Sequence, residues 1–310
     1  MPIINSKKQK KSKSIARIKI RGEFFDYLKS RYFSPVEIYQ GNNKFLRIGN
    51  KKIITKELSD QKNLKLWKFP VPKIISHGKK NGFYYFTERS LGTNHFENIF
   101  LENIRKKEKI SSKNFIRFLF IVKKYALAQI NYSCEHNTKI PASESILREK
   151  VICQELPEFK NEIKSAYRIA LKSVSELPIV PTHGDFRPLN ILPKGVIDWE
   201  NFAWAPLGYD LITNIYTTNI VFWGQNEYFN KTYKFTNAQI TEYFSEIDDL
   251  FYHYKLPKLS EYKDHLILLR IAWATVKMHR WPKLQEKRYK LFKLAIKKYL
   301  SGYKISELIE

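Results

Sequence analysis

The sequence predicts an α+β protein whose first part is an antiparallel sheet and whose larger second part is mainly helical. From Val36 to residue 90, apolar residues alternate with a period of two, and Gly and Asn residues separate the short apolar segments. After Gly92, apolar residues recur at the spacing of three and four that is typical of helices. A chain of 310 residues with 43% hydrophobic residues is long enough to bury a large core.

The first part is predicted to contain one helix and then a series of strands. The helix covers Ile15 to Tyr32, where the apolar residues have helical spacing. Turns at Gly41-Asn42-Asn43, at Gly49-Asn50 and at residues 78–82 separate the strands. The predicted strands are Val36–Gln40, Lys44–Ile48, Lys52–Leu58, Lys73–Ser76 and Phe83–Thr87.

The second part is predicted to be helical on both sides of one short hairpin. The hairpin joins the strands Leu177–Thr182 and Gly195–Trp199. The predicted helices are Lys113–Tyr132, Glu144–Cys153, Glu158–Ser175, Asp210–Phe222, Asn237–Tyr254, Ser260–His279 and Leu284–Tyr299.

The net charge of +25 has two interpretations. It can indicate an anionic partner, or it can reflect the lysine enrichment of an AT-rich genome. The basic residues are mostly Lys and are spread along the whole chain, which favours a solvated surface, so no stable nucleic-acid partner is expected. Residues 1–14 contain a lysine cluster without apolar periodicity and predict a disordered basic tail that contacts a membrane surface weakly at most.

Several classes of protein are excluded by what the sequence lacks. No apolar run has the length of a membrane span, and residues 1–14 have no apolar signal core. The two cysteines, Cys134 and Cys153, form no disulfide framework, so a reduced cytoplasmic protein is expected. P-loop, zincin and serine-hydrolase motifs are absent.

Two short motifs carry the functional prediction: HGDFRPLN at residues 183–190 and IDWE at residues 197–200. They place Asp185, Asn190 and Asp198 at the predicted hairpin. Phosphoryl transfer from ATP requires such a set, because one carboxylate faces the attacking hydroxyl while an amide and a second carboxylate hold Mg2+. The alternative is a glycine turn whose polar residues only cap the hairpin.

The two motifs resemble the catalytic loop and the metal-binding motif of the aminoglycoside phosphotransferase and choline kinase-like family. The resemblance implies a two-lobed protein-kinase-like fold, with an N-lobe sheet at residues 15–90 and a larger, mainly helical C-lobe at residues 91–310. It also implies that Asp185 is the catalytic base and that Asn190 and Asp198 bind Mg2+. Arg187 lies inside the loop, where it steadies an anionic substrate group or the transferring phosphoryl, or braces the loop through a carboxylate.

The resemblance also implies a strand lysine that contacts the α- and β-phosphates of ATP. Lys56 follows the apolar run 53–55 and is the preferred candidate, while Lys51 and Lys52 compete with it. The alternative is an edge-strand lysine in solvent. The family has a partner Glu on the next helix, but the segment 59–68 contains none, and Glu57 would point to the opposite face of a strand from Lys56.

Further nucleotide contacts are implied by the order of segments in the family. Gly41 and Asn42 occupy the place of the loop over the phosphates, although this turn is poor in glycine. Glu88 and Ser90 lie in the segment that resembles the hinge, whose backbone pairs with adenine. Glu88 has the alternative role of a local salt-bridge partner.

The function predicted is an ATP- and Mg2+-dependent O-phosphotransferase that acts on a hydroxyl of a small molecule, such as a sugar, an amino alcohol or an aminoglycoside-like compound. An acidic cluster, Glu246, Asp248 and Asp249, either receives ammonium groups of the acceptor or is a solvated helix face. The alternative function is a catalytically silent nucleotide-binding scaffold with a basic partner-binding surface. The missing helix Glu favours it, and the complete catalytic motif argues against it.

Overall fold

The computed structural model describes residues 16–31, 34–136, 140–221, 233–276 and 282–309. The predicted tail, residues 1–14, lies outside these ranges, as do residue 222 and residues 277–279 at the ends of two predicted helices. The chain divides into two compact units. The first consists of Met1–Lys62 and Pro72–Ser90, and the second consists of Asn63–Val71 and Leu91–Glu310.

The first unit is built on a six-stranded antiparallel sheet with the strand order β1-β2-β3-β4-β6-β5. The ammonium of Lys80, on an edge strand, donates a hydrogen bond to the carbonyl of Lys19 on the other edge strand, so the sheet is curled. The strands are β1 Arg17–Ile20, β2 Glu23–Ser30, β3 Glu37–Gly41, β4 Lys44–Gly49, β5 Ile74–Lys80 and β6 Phe83–Arg89.

The helix predicted for Ile15 to Tyr32 is wrong, because this segment forms the β1–β2 hairpin. Arg21 and Gly22 both have positive φ, at 49° and 86°, as a tight hairpin turn requires. Phe25 is buried while Phe24 is 53% exposed, so the side chains alternate between two faces. A short apolar run with two adjacent Phe fits both periods, and the turn decides between them.

The strand predicted for Lys52–Leu58 is also wrong, because this segment lies in the helix α1, Lys51–Leu66. The side chain of Asn50 accepts a hydrogen bond from the amide of Ile53 at 3.0 Å and so caps the helix start. Ile54 packs with Val36 and Phe86 against one face of the sheet. The four other predicted strands are confirmed, with shifts at their ends, as β3, β4, β5 and β6.

The second unit is mainly helical. Its predicted helices are confirmed with shifted ends, except that the segment Glu144–Cys153 is divided in two at Arg148, which has a φ of +57°. The predicted hairpin is wrong, because each of its two strands pairs with another segment. The strand pairs are β7 Ile179–Thr182 with β10 Ala203–Pro206, and β8 Ile191–Leu192 with β9 Gly195–Val196. The helices are α2 Phe96–Lys107, α3 Ser112–Glu135, α4 Glu144–Leu147, α5 Glu149–Glu155, α6 Lys160–Ser173, α7 Tyr209–Val221, α8 Asn237–His253, α9 Lys263–Val276, α10 Pro282–Leu300 and α11 Ser306–Ile309.

Two helices form the centre of the second unit. Helix α3 begins at the N-cap Ser111, buries one side of its length and packs against β7. Helix α9 is buried along its whole length from Leu266 to Val276 and packs against α7. Because β7 leads directly into residues 183–190, the predicted catalytic loop leaves the core where these elements meet.

Candidate active site

The loop of residues 183–190 follows β7 and ends in a 3-10 turn, Pro188–Asn190. Its tight start depends on Gly184, which has a φ of +75°. A Cβ atom at this position would lie 2.5 Å from the carbonyl oxygen of Asn201, so only glycine fits. The sequence therefore forms this loop because HGD supplies a residue without a side chain at its sharpest point.

His183 connects the two motifs through both of its ring nitrogens. Nδ1 accepts a hydrogen bond from the amide of Asp185 at 3.2 Å, and Nε2 donates to the carbonyl of Ile197 at 2.8 Å. The ring is therefore held as one tautomer, with the proton on Nε2. This arrangement fixes the backbone that carries Asp198 relative to the backbone that carries Asp185.

Asn190 provides the second connection. Its side-chain amide donates to the carbonyl of Asp185 at 2.8 Å and to Asp185 Oδ2 at 3.3 Å. Its own carbonyl accepts from the amide of Ile197 at 2.9 Å, directly before Asp198. Asp198 has a φ of +66° and begins a 3-10 turn. The structure thus brings the three predicted residues together around one loop.

The residues at this loop fit a magnesium ion. The amide nitrogen of Asn190 donates hydrogen bonds, so its Oδ1 faces away from these bonds, and this oxygen and the carboxylate of Asp198 are both hard ligands of the kind that Mg2+ takes. In the described part of the chain, no group of three or more His, Cys, Asp and Glu side chains is placed to hold a metal ion. Mg2+ needs no such group, because it takes few protein ligands and completes its shell with water and phosphate oxygens.

The carboxylate of Asp185 lies between two guanidinium groups. Arg187 Nε is 3.2 Å from its Oδ2, and Arg270 Nη2 is 3.5 Å from its Oδ1. The side chain of Asp185 is 15% exposed, whereas that of Arg270 is fully buried. The two cations favour the ionised form of the carboxylate, which is the form that a proton acceptor needs.

Arg270 is a site residue that the sequence analysis missed. It also donates to the carbonyl of Gly184 at 2.9 Å, and its guanidinium lies 3.7 Å from the ring centroid of Trp273. The sequence contains a signal that could have identified this residue, because Arg270 is the one charged residue in the apolar stretch 266–276. An arginine inside a buried helix requires an anionic or carbonyl partner, and here the partner is the catalytic loop.

Asp210 anchors the beginning of the loop from the side of α7. Its carboxylate is fully buried and accepts from the amide of His183 at 2.6 Å, from the amide of Gly184 at 3.1 Å and from the hydroxyl of Tyr125. Burial raises the pKa of Asp210, and the hydrogen bonds to its carboxylate and the charge of Arg270 oppose this shift. These contacts are structural and hold the loop backbone in place.

Glu97 is a second missed residue beside the loop. It lies in the first turn of α2, which packs against the turn Pro188–Asn190, and it is half-buried. Burial raises the pKa of Glu97, the charge of Arg187 lowers it, and the charge of Asp185 raises it. The buried hydroxyl of Tyr233 has no recorded hydrogen-bond partner among the described residues, and its pKa is raised by burial and by Glu97.

The first unit contains a separate buried ionic cluster, centred on Arg47 of β4. Arg47 Nε donates to Glu88 of β6 at 2.9 Å, and its Nη1 lies 3.6 Å from Glu57 of α1. Glu57 also pairs with Arg31 at the end of β2, and Glu88 accepts from Gln61 of α1 at 2.8 Å. The side chains of the four charged residues are between 4% and 16% exposed.

The prediction that Lys56 lies on a strand is wrong. Lys56 lies on α1 and not on a strand, its side chain is 66% exposed, and it pairs with Asp60 at 2.6 Å. Arg47 is the buried cation of the strand that precedes the helix, and Glu57 is the helix carboxylate that the sequence analysis did not find. The error followed from assigning the start of α1 to a strand, because this placed Glu57 outside the helix.

The other predicted nucleotide residues lie near this sheet. Gly41 and Asn42 form the β3–β4 turn, next to which the amide of Ser90 donates to the carbonyl of Asn43 at 2.9 Å. Gly41 and Asn42 were selected because their turn follows the first predicted strand. In the structure, two more strands, β1 and β2, come before this turn, so segment order alone does not select these two residues. The alternative role of Glu88 as a local salt-bridge partner agrees with its contact to Arg47.

The acidic cluster on α8 is mainly engaged in structural contacts. Glu246 pairs with Lys123 of α3, and Asp248 accepts from both the amide and the hydroxyl of Ser260. Asp249 is exposed. The cluster thus behaves as a helix surface with local partners.

The fold and the loop together define a protein of the two-lobed kinase-like class. The chain superposes on a candidate aminoglycoside phosphotransferase from Ralstonia eutropha with a TM-score of 0.52 and 12% identity, covering 88% of this chain and 91% of that one. The predicted fold class is confirmed by the N-terminal antiparallel sheet, the helical second part and this similarity.

The profile of the phosphotransferase enzyme family matches residues 114–239, which include both motifs. The resemblance inferred from the catalytic loop is therefore confirmed over this segment. No curated protein matches the chain significantly.

Two further solved structures are similar to the chain. One is a thermostable mutant of the aminoglycoside phosphotransferase APH(4)-Ia with ADP and hygromycin B, with a TM-score of 0.49 and 10% identity, covering 88% of this chain and 91% of that one. The other is APH(3'')-Id from Streptomyces rimosus, with a TM-score of 0.48 and 11% identity, covering 80% of this chain and 92% of that one.

Proposed function

We propose that the protein transfers the γ-phosphoryl group of ATP to a hydroxyl of a small molecule. The observation that carries this proposal is the arrangement of Asp185, Asn190 and Asp198 around one loop. Hydrogen bonds of His183 and Asn190 to Ile197, the residue before Asp198, connect the two motifs. A loop that only closed a hairpin would not need an ionised carboxylate between two arginines. The family match supports the general class of phosphotransferase.

Asp185 is the proposed proton acceptor. The acceptor hydroxyl gives its proton to this carboxylate while its oxygen bonds to the γ-phosphorus, and the bond from that phosphorus to the bridging oxygen of ADP breaks. Arg270 fixes the carboxylate and the backbone of Gly184, so the proton acceptor does not reorganise during the reaction. Arg187, with its side chain 23% exposed, is the proposed contact for the transferring phosphoryl.

Asn190 and Asp198 are the proposed Mg2+ ligands. When bound, Mg2+ neutralises the charge of the phosphates and aligns them for transfer. The protein's contribution is to hold the two residues that carry these oxygen ligands in place. The amide of Ile197 donates a hydrogen bond to the carbonyl of Asn190, and the carbonyl of Ile197 accepts one from His183 Nε2.

Arg47 takes the role that the sequence analysis gave to Lys56, namely to steady the phosphates of ATP. Its support is the ion pair with Glu57 on the following helix, which is the strand-cation and helix-carboxylate pair that the resemblance implies. Finding Glu57 removes the main argument for a silent scaffold. What still favours the scaffold is the glycine-poor turn at Gly41 and Asn42.

Among the acceptor classes, a sugar or another uncharged hydroxyl compound fits the described contacts better than a polycationic aminoglycoside. The carboxylate of Asp185 already has two arginine partners, and Glu246 and Asp248 have partners elsewhere. The net charge of +25 also disfavours a polycation.

The test is ADP formation from Mg-ATP with a pooled panel of sugars, amino alcohols and aminoglycosides. The Asp185→Asn variant is the negative control, and Glu246→Gln is the matched control for loss of a carboxylate outside the loop. Acceptor-dependent turnover that only Asp185→Asn abolishes is expected. Absence of turnover together with absence of thermal stabilisation by Mg-ATP would contradict the proposal.

A further inference from the structure

At one end of the curled sheet in the first unit, two tight turns lie side by side. The turns are Arg21–Gly22 of the β1–β2 hairpin and Asn81–Gly82 of the β5–β6 hairpin. The bond from the Lys80 ammonium to the Lys19 carbonyl joins the two hairpins directly beside their turns. We call these two turns and the residues that flank them, 19–24 and 79–83, the hairpin rim.

The hairpin rim exposes large apolar side chains. Phe24 is 53% exposed and Phe83 is 55% exposed, each within two residues of its turn. Further along the same two hairpins, Leu28 and Ile75 are 47% and 43% exposed. Single exposed apolar residues are common, but two aromatic side chains beside neighbouring turns, backed by aliphatic ones, are typical of a surface that contacts an apolar phase.

The hairpin rim is also basic. Lys19, Arg21, Lys79 and Lys80 are exposed, and no ion pair is recorded for them within the described ranges. The two acidic side chains nearby already have partners, since Glu23 pairs with Lys44 and Asp26 pairs with Arg17. The rim therefore presents cations whose charge is not compensated by neighbouring carboxylates.

Cations and aromatic rings are interleaved at this surface. The guanidinium of Arg17 lies 4.7 Å from the centroid of the Phe24 ring, and the ammonium of Lys19 lies 5.2 Å from it. Such side chains place an apolar stem beside the ring and a charge at its edge, as residues at a water–lipid boundary do.

We propose that the hairpin rim docks the protein on an anionic phospholipid surface. Phe24 and Phe83 would enter the boundary between headgroups and acyl chains, while the lysines and Arg21 would contact lipid phosphates and carboxylates. Single-stranded nucleic acid is the competing occupant, because bases stack on aromatic rings beside cations. Leu28 and Ile75 favour lipid, since aliphatic side chains offer no ring for stacking. This inference is independent of the catalytic proposal.

The test is flotation of the full chain with phosphatidylcholine vesicles, with and without phosphatidylserine. Binding is expected only when phosphatidylserine is present and is expected to weaken as salt is added. The double variant Phe24→Ala/Phe83→Ala should lower vesicle affinity by about tenfold or more. The charge variant Lys79→Gln/Lys80→Gln should lower it by a similar factor.

Matched controls come from equally exposed residues elsewhere in the chain. Leu66→Ala removes an apolar side chain that is 76% exposed, and Lys106→Gln removes an exposed ammonium that pairs with Glu102. Both are expected to bind vesicles like the wild type. The inference is overturned if the wild type does not float, if the two rim variants float equally well, or if a single-stranded oligonucleotide binds and the vesicles do not.

Discussion

The two buried ionic clusters of this protein are arranged in opposite ways. In the second unit, the carboxylate of Asp185 lies between the guanidinium groups of Arg187 and Arg270. In the first unit, the guanidinium of Arg47 lies between the carboxylates of Glu57 and Glu88. The two cations keep the carboxylate of Asp185 ionised and hold it in place, and the two carboxylates fix the orientation of the Arg47 guanidinium. Each cluster thus fixes its central group by surrounding it with the opposite charge.

The largest effect is expected from substitutions at the predicted catalytic loop and its metal-binding motif. Asp185→Asn and Asp198→Asn should each lower turnover by about a thousandfold, since one removes the proton acceptor and the other removes a metal-ligand charge. Steady-state ADP formation measures the loss. Asparagine is the better replacement at position 185, because alanine would also remove the side-chain oxygen that buried Arg270 contacts. Turnover within tenfold of the wild type in both variants would refute the assigned roles.

A second prediction compares the backbone of the two units. Gly184→Ala should lower the free energy of unfolding by about 2 to 4 kcal/mol, because it combines a positive φ with a contact of 2.5 Å to a carbonyl oxygen. Gly49→Ala is the matched change in the first unit. Its nearest contact is 3.1 Å and no unusual φ is involved, so a loss of about 1 kcal/mol is expected. Urea denaturation measures both, and equal losses would show that the loop adapts.

A third prediction breaks the second cluster. Arg47→Met should weaken Mg-ATP binding by about tenfold or more, whereas Lys56→Ala should leave it unchanged. The Mg-ATP affinity of Arg47→Lys should lie between those of the other two variants, because an ammonium cannot bridge two carboxylates as a planar guanidinium does. Isothermal titration of Mg-ATP distinguishes the three variants. A loss of affinity in Lys56→Ala, and not in Arg47→Met, would restore the original assignment.

The smallest expected effect concerns Glu97, whose carboxyl group has a raised pKa in the folded protein. The folded state therefore binds the proton of Glu97 more strongly than the unfolded state does, so the contribution of Glu97 to stability falls as the pH rises above about 4.5. Glu97→Gln does not titrate and should lose this component. The difference in unfolding free energy between the two proteins should change with pH in that direction. A pH-independent difference would indicate that Glu97 is in contact with water.

The two clusters also differ in how much the sequence reveals of them. Asp185, Asn190 and Asp198 lie close together in the chain, so two neighbouring motifs and their spacing were enough to predict them as one site. The Arg47 cluster is assembled from residues 31, 47, 57, 61 and 88, on three strands or strand ends and one helix. Its members become neighbours only once the strand pairing and the start of α1 are known.

The two fold errors in the first unit have a single physical origin. Residues 15–32 and 52–58 contain apolar runs that match helical and strand periods about equally well. A tight turn with positive φ decided the first case, and an Asn cap decided the second. The long helices α3 and α9 were predictable because their apolar periodicity extends over many turns. Arg270 was missed because its partner lies 85 residues away in the chain.

The burial of Arg270 has an evolutionary consequence. Its charge is fully enclosed and is balanced in part by the carboxylate of Asp185, so the two side chains form a unit. A lineage that abandoned phosphoryl transfer could not discard the aspartate alone without leaving a buried charge uncompensated. Descendants that have lost activity should therefore either keep both residues or replace both. An intact Asp185–Arg270 pair in a related chain is therefore not sufficient evidence that this chain is active.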